Sequence, residues 1–101
     1  MKAEIEHVLP QKLTPEWERS FSKSQHRELV NCFANLLPVE RGMNSHLGQK
    51  SFDEKKEVVT RDSMYKASRE FYEQHNEWNP EAMKKRGQEL ADWAVEYWPL
   101  P

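Results

Sequence analysis

The chain has 101 residues, of which 37% are apolar, 32% are charged and 11% are aromatic. This length allows one small domain, and the aromatic side chains supply enough apolar surface to exclude a disordered chain. The formal net charge of −2 argues against a broad basic surface for nucleic acid, and the single cysteine excludes an internal disulfide.

The first predicted element is a short strand. Residues 3–9 alternate between the two faces of a strand, and Pro10 ends the pattern. The next segment, "TPEWERSF" (14–21), predicts a helix, because Thr14 is a suitable N-cap residue and a proline follows at the first helical position.

A second short helix is predicted over "SQHRELVNCF" (24–33), with Leu29, Val30 and Phe33 facing inward and Cys32 buried beside them. The apolar run "NLLPV" (35–39) is too short for a helix and predicts a second strand or a strand end. The two strands would pair as a hairpin that is closed by a long, decorated loop.

Three helices are predicted after the glycine turn in "ERGMNS". The first covers "SHLGQKSFDEKKEVV" (45–59), with Gly48 as a weak point, and the second covers 62–75 with Met64 on its inner face. The third begins at Asn79 as N-cap. It carries an apolar stripe, formed by Met83, Leu90, Trp93, Ala94 and Tyr97, and ends before Pro99. The fold class is therefore α+β, with a mostly helical second half.

Four side chains have the chemistry of a metal-dependent phosphodiesterase. His7 can act as a base near neutral pH, and Glu6 can supply a carboxylate oxygen to a hard cation. Asn44 can add an amide oxygen, and magnesium keeps several waters, so that two protein ligands suffice. Asn35 opens the second apolar run, opposite the first strand if the two strands pair. The alternative is ordinary: a surface histidine, a turn asparagine and a helix cap. A geometric obstacle also exists, because adjacent strand residues point to opposite faces.

The segments "IEHVLPQ" (5–11), "ANLLPV" (34–39) and "MNSHLGQKSFDEKK" (43–56) resemble the HNH nuclease motif, in which a ββα unit holds one metal ion. More closely, the chain resembles the C-terminal HNH-like domain of the GmrSD-type modification-dependent restriction endonucleases. The similarity covers nearly the whole chain and includes a late helix with Arg86. It departs from the family pattern at Ala34, where glycine is common, and at Gln49, where a second asparagine is common.

The resemblance implies a role for each matching residue. His7 matches the general base, and Asn35 matches the residue that orients this histidine. Glu6 and Asn44 match the ligands of Mg²⁺ or Mn²⁺.

The resemblance also implies that Lys50 and Lys55, at basic positions of the helix, contact phosphate. His46 lies close by and is a candidate phosphate contact, a substitute metal ligand or simply an exposed residue. Arg86 matches a recurrent arginine, for which a buried ion pair with Glu6 or Asp62 is one structural explanation.

The expected function is hydrolysis of DNA phosphodiester bonds by an HNH-type endonuclease in restriction or defence against foreign DNA. Residues 1–101 would form one domain, with the ββα core over about 3–60 and the C-terminal helices over about 61–98. DNA is the expected partner, together with an NTP-dependent restriction domain or subunit. The alternative is an inactive HNH-fold module or fragment that binds DNA or protein. No apolar run approaches 18 residues and the N-terminus lacks a signal-peptide core, which indicates a cytoplasmic protein without a membrane segment.

Overall fold

The computed structural model describes residues 3–97, which contain two β-strands and five α-helices. The strands are β1 (Ala3–His7) and β2 (Leu36–Glu40). The helices are α1 (Lys23–Leu29), α2 (Met43–Leu47), α3 (Phe52–Asp62), α4 (Lys66–Gln74) and α5 (Pro80–Tyr97). Single turns of 3-10 helix cover Trp17–Arg19 and Phe33–Asn35. The predicted α+β class is confirmed.

The two strands form an antiparallel hairpin that is closed by the long segment between them. The register pairs Ala3 with Glu40 at one end and His7 with Leu36 at the other. The first strand is shorter than predicted, because the chain bends after His7 and buries the next three residues, Val8, Leu9 and Pro10. These residues leave the strand in order to enter the core.

The predicted helix over 45–59 is two helices, because the chain turns sharply at Gly48. This glycine has φ 45° and ψ −122°, a conformation that other residues rarely adopt. The second helix, α3, then begins at a capping box. The Ser51 hydroxyl accepts a hydrogen bond from Glu54 N at 3.2 Å, and the Glu54 carboxylate accepts one from Ser51 N at 3.1 Å.

The segment before β2 also differs from its prediction. The helix expected at 14–21 is a single 3-10 turn, because Ser22 and Gln25 form a capping box that starts α1. Helix α1 ends at Leu29, earlier than predicted, and the turn that follows leaves Phe33 75% exposed and Cys32 exposed. The prediction that these two side chains are buried was wrong.

The core is centred on four aromatic side chains that α3, α4 and the segment before α5 bring together: Phe52, Phe71, Tyr72 and Trp78. Their rings meet mainly edge to face or tilted, at centroid distances of 4.9–6.4 Å. This cluster joins α3 to α4, which also packs against β2.

Helix α5 begins as predicted, since the Asn79 side chain accepts a hydrogen bond from Ala82 N at 2.8 Å. Of its predicted apolar stripe only Met83 is buried, whereas Trp93 is 48% and Tyr97 60% exposed. Met64 was also predicted to face inward but is 75% exposed, because α4 begins only at Lys66. The end of the stripe at Pro99 lies outside the described residues. None of the helices within 3–97 combines the length and apolarity needed to cross a membrane.

Candidate active site

One pocket of about 360 Å³ collects the central residues of the predicted site. It is lined by residues from the end of β1, the bend after it and α2: Glu6, His7, Pro10, Gln11, Lys12, Asn44, Gly48 and Gln49. Both Glu6 and His7 lie within β1, at its last two positions, and both line this pocket although adjacent strand residues point to opposite faces. The base candidate and both candidate metal ligands therefore border the same space.

Lys55 explains how the end of β1 is held in this shape. Its side chain is fully buried, and the ammonium donates hydrogen bonds to the carbonyl oxygens of His7 at 2.8 Å and Val8 at 3.1 Å. The same Nζ lies 2.9 Å from Oε2 of Glu6. One cation from α3 thus binds a side chain and two consecutive carbonyls at the bend. The prediction that Lys55 contacts phosphate does not agree with this position.

Glu6 and Lys55 form a buried ion pair, and burial makes the charged form of each side chain less favourable. Burial raises the pKa of the Glu6 carboxyl above its ordinary value, and the Lys55 ammonium offsets only part of this change. Burial likewise lowers the pKa of Lys55, against the opposing effect of Glu6. Oε2 of Glu6 is buried against the ammonium, and Lys55 is the partner that the described residues give it.

Asn35 is fully buried and uses its whole hydrogen-bonding capacity on structural contacts. Its Oδ1 accepts from Leu9 N at 2.8 Å and from the indole N–H of Trp78 at 3.0 Å. Its Nδ2 donates to the carbonyls of Leu9 at 3.0 Å and Val30 at 2.8 Å. The Asn35 side chain does not contact the imidazole of His7; it joins the segments on either side of the site through Leu9 and Val30.

The imidazole of His7 is instead held by Asn31, whose Oδ1 lies 3.0 Å from Nε2 of His7. Sequence reasoning missed Asn31, because it lies in an irregular turn after α1 and belongs to no recognised motif. It also missed Lys12, an exposed lysine on the pocket wall. The one available signal for Lys12 was its position, directly after the "IEHVLPQ" segment.

Asn44 lies on α2, half-buried at the pocket wall. Its side chain makes no hydrogen bond to any other described residue, so that its amide oxygen is available to a ligand. A free amide oxygen beside a carboxylate suits a hard cation such as Mg²⁺. Within residues 3–97 no group of three or more His, Cys, Asp or Glu side chains forms a metal-binding cluster. The donors present fit a metal ion that retains most of its water ligands.

The remaining predicted residues lie elsewhere. His46 and Lys50 do not line the pocket; His46 is exposed and close enough to Asp62 to interact electrostatically with it. Arg86 donates a hydrogen bond to the Ala34 carbonyl at 2.6 Å, and its guanidinium carbon lies 5.0 Å from the centroid of the Phe71 ring. The suggested ion pair of Arg86 with Glu6 or Asp62 was wrong.

Comparison with known proteins gives one match. No curated protein matches the chain, and no solved structure matches it. Residues 1–93 match the family described as "GmrSD restriction endonucleases, C-terminal domain". This match covers more than nine-tenths of the chain and all of the residues that line the pocket. The chain belongs to the family of C-terminal domains of GmrSD restriction endonucleases.

Proposed function

We propose that this protein is a metal-dependent DNA endonuclease of the HNH type that acts in restriction of foreign DNA in the cytoplasm. Membership of a restriction endonuclease family supports the reaction class. The observation that carries the proposal is the arrangement of Glu6, His7 and Asn44 around one pocket at the end of the hairpin.

Each residue of the pocket has a defined part in the proposed hydrolysis. His7 accepts a proton from a water molecule, whose oxygen then bonds to phosphorus while the bond to the 3′ oxygen breaks. The leaving oxygen keeps the bonding electrons and takes a proton from solvent. Glu6 and Asn44 would hold Mg²⁺ or Mn²⁺, which neutralises charge on the phosphate and on the leaving oxygen when bound.

Lys12 would attract a backbone phosphate into the same pocket. Its side chain is exposed and makes no ion pair or hydrogen bond with another described residue. Since Lys55 balances the charge of Glu6 inside the protein, Lys12 gives the metal-free pocket its positive charge. The net charge of −2 nevertheless supports only weak DNA binding by this domain. An NTP-dependent domain or subunit would supply the remaining affinity and the choice of target.

A plasmid-nicking assay with Mg²⁺ or Mn²⁺ tests the proposed base. We expect His7→Ala to lower the cleavage rate by at least about 100-fold, as expected for loss of a general base, and added imidazole to restore part of the activity. Circular dichroism of both proteins controls for folding. Equal cleavage by wild type and His7→Ala would disprove the assignment.

The second candidate is an HNH-fold module that binds DNA or protein without cutting. It is favoured by the low charge of the candidate metal site, which has one carboxylate that is already paired with Lys55. Calorimetric titration with Mn²⁺ in the presence of a DNA duplex separates the two candidates. The nuclease predicts binding heat that is lost in Asn44→Ala, whereas the inactive module predicts no heat in either protein.

A further inference from the structure

The contact between Asn31 and the imidazole of His7 has the geometry of a hydrogen bond. Oδ1 of Asn31 lies 3.0 Å from Nε2 of His7, across 24 residues of sequence. An amide oxygen can only accept a hydrogen bond, so that this contact is a hydrogen bond when Nε2 carries the proton. In a neutral imidazole the other nitrogen, Nδ1, is then left with the free lone pair.

We propose that Asn31 positions the imidazole of His7 and fixes its tautomer, so that Nδ1 is the atom that accepts the proton from water. This inference rests on the proposed nuclease function and assigns its base to one nitrogen. Asn31 touches neither substrate nor metal in this mechanism and acts only through His7.

Hydrogen bonds of the buried Asn35 hold the segment that carries Asn31 close to His7. Asn31 follows Val30, whose carbonyl accepts a hydrogen bond from Nδ2 of Asn35 at 2.8 Å. The same buried amide group holds both backbone groups of Leu9, two residues after His7. The backbone carbonyl of Asn35 also accepts a hydrogen bond from Val8 N at 2.9 Å. Asn35 thus fixes the distance between the two segments that carry His7 and Asn31.

In this arrangement two asparagines together position the imidazole of His7. Asn31 is exposed and makes the contact to the imidazole, whereas Asn35 is fully buried and holds the backbone beneath it. Substitution of Asn31 therefore changes the orientation and tautomer of the His7 imidazole without removing a hydrogen bond from the core. Substitution of Asn35 unpairs several buried polar groups and would lower the stability of the whole domain.

Nuclear magnetic resonance of the ring nitrogens tests the tautomer directly. With ¹⁵N-labelled protein at about pH 8.5, where an ordinary histidine is neutral, we expect His7 to be protonated at Nε2 in wild type. Asn31→Ala should give nitrogen shifts averaged between the two tautomers. Asn31→Asp keeps an acceptor oxygen and should retain the wild-type pattern. Asn76→Ala is the matched control, since Asn76 is also exposed and its Oδ1 accepts one side-chain hydrogen bond, from Lys56 at 3.2 Å.

Cleavage kinetics provide the second measurement. Asn31→Ala should lower kcat by about tenfold with little change in KM, which is typical of losing a group that orients a functional histidine. Protonation of Nδ1 in wild type would overturn the inference, and so would an Asn31→Ala variant whose ring shifts match those of Asn76→Ala. A wild-type protein that shows the expected tautomer but cuts no DNA would refute the proposed function and leave the positioning by Asn31 standing.

Discussion

At the scale of single residues, the buried pair of Glu6 and Lys55 links the stability of the domain to the shape of its pocket. Lys55 is fully buried and Glu6 is 2% exposed, so that neither charge can be solvated if its partner is lost. The Lys55 ammonium also donates hydrogen bonds to two backbone carbonyl oxygens at the bend, those of His7 and Val8. A buried pair of this kind is costly to break, although it adds little net stability over an apolar pair of similar volume.

We therefore expect Lys55→Met to lower the free energy of unfolding at pH 7 by about 3–5 kcal/mol. Urea unfolding followed by circular dichroism measures this loss. The double variant Glu6→Gln with Lys55→Met should recover part of it, because the uncompensated carboxylate is gone. Additive losses in the double variant would show that the two side chains are not coupled.

The same variant should have a characteristic pH dependence. Burial raises the pKa of Glu6 above the ordinary value of 4.5 already in wild type, and Lys55→Met removes the ammonium that offsets part of this rise, so that the folded-state pKa of Glu6 is higher still in the variant. A raised pKa means that the folded state holds the proton more tightly than the unfolded state. The folded state is then favoured below about pH 4.5 and loses stability as the pH rises from there to the folded-state pKa. Wild type loses stability only up to its own, lower folded-state pKa of Glu6, so that the difference between the two proteins should widen from that pH to the folded-state pKa in the variant.

At the scale of elements, the sequence pattern predicts helix ends that capping residues and glycine determine. It fails to predict which side chains are buried where contacts between distant segments set the path of the chain. Helix α5 begins where Asn79 and Pro80 indicate, and the break between α2 and α3 lies at the glycine that was predicted to be weak. The exposed Phe33 was predicted to be buried, because periodicity does not reveal that the chain turns away after Leu29.

In the candidate site, too, some residues were predicted from the sequence and others are brought in by contacts between distant segments. The resemblance to the HNH motif implies that Glu6, His7 and Asn44 belong together, and the structure places all three around one pocket. The contacts of Lys55 and Asn31 with the end of β1 join residues 48 and 24 positions apart. No local pattern encodes contacts over such separations, so that Lys55 was predicted to contact phosphate and Asn31 was overlooked.

Gly87 gives a test of helix propensity within α5. It lies inside the helix, and a Cβ atom added there would meet only the Cβ of Ala34, at an ordinary contact distance of 3.7 Å. No backbone conformation requires glycine at this position. We expect Gly87→Ala to raise the free energy of unfolding by about 0.5–1 kcal/mol, measured by chemical denaturation. A loss of stability would mean that the groove beside Ala34 cannot accept a methyl group.

At the scale of the whole molecule, the charge distribution assigns this domain a modest part in DNA binding. The chain is weakly acidic, and its pocket has one exposed lysine, Lys12, among its lining residues. A domain that contacts few phosphates should bind DNA weakly and with a shallow dependence on salt. This expectation supports the proposal that an NTP-dependent domain or subunit supplies the remaining affinity for DNA.

We expect Lys12→Ala to weaken DNA binding to a similar degree for all sequences. It should reduce the slope of log affinity against log salt concentration by about one, as expected for one lost phosphate contact. Fluorescence anisotropy with a labelled duplex at several salt concentrations measures both quantities. Lys84→Ala removes an exposed lysine of α5 that does not line this pocket and serves as the control. Equal slopes in the two variants would exclude a phosphate contact at Lys12.

The long connection between β1 and β2 has a consequence for the order of events during synthesis. His7 leaves the ribosome before Lys55, which holds the end of its strand and lies 48 residues later, and Asn35 is held in turn by Trp78. Closing such long loops is slow relative to forming local helices. The pocket is therefore complete only after most of the chain has emerged, so that a nascent fragment ending before α3 carries the proposed base in an unformed, inactive site.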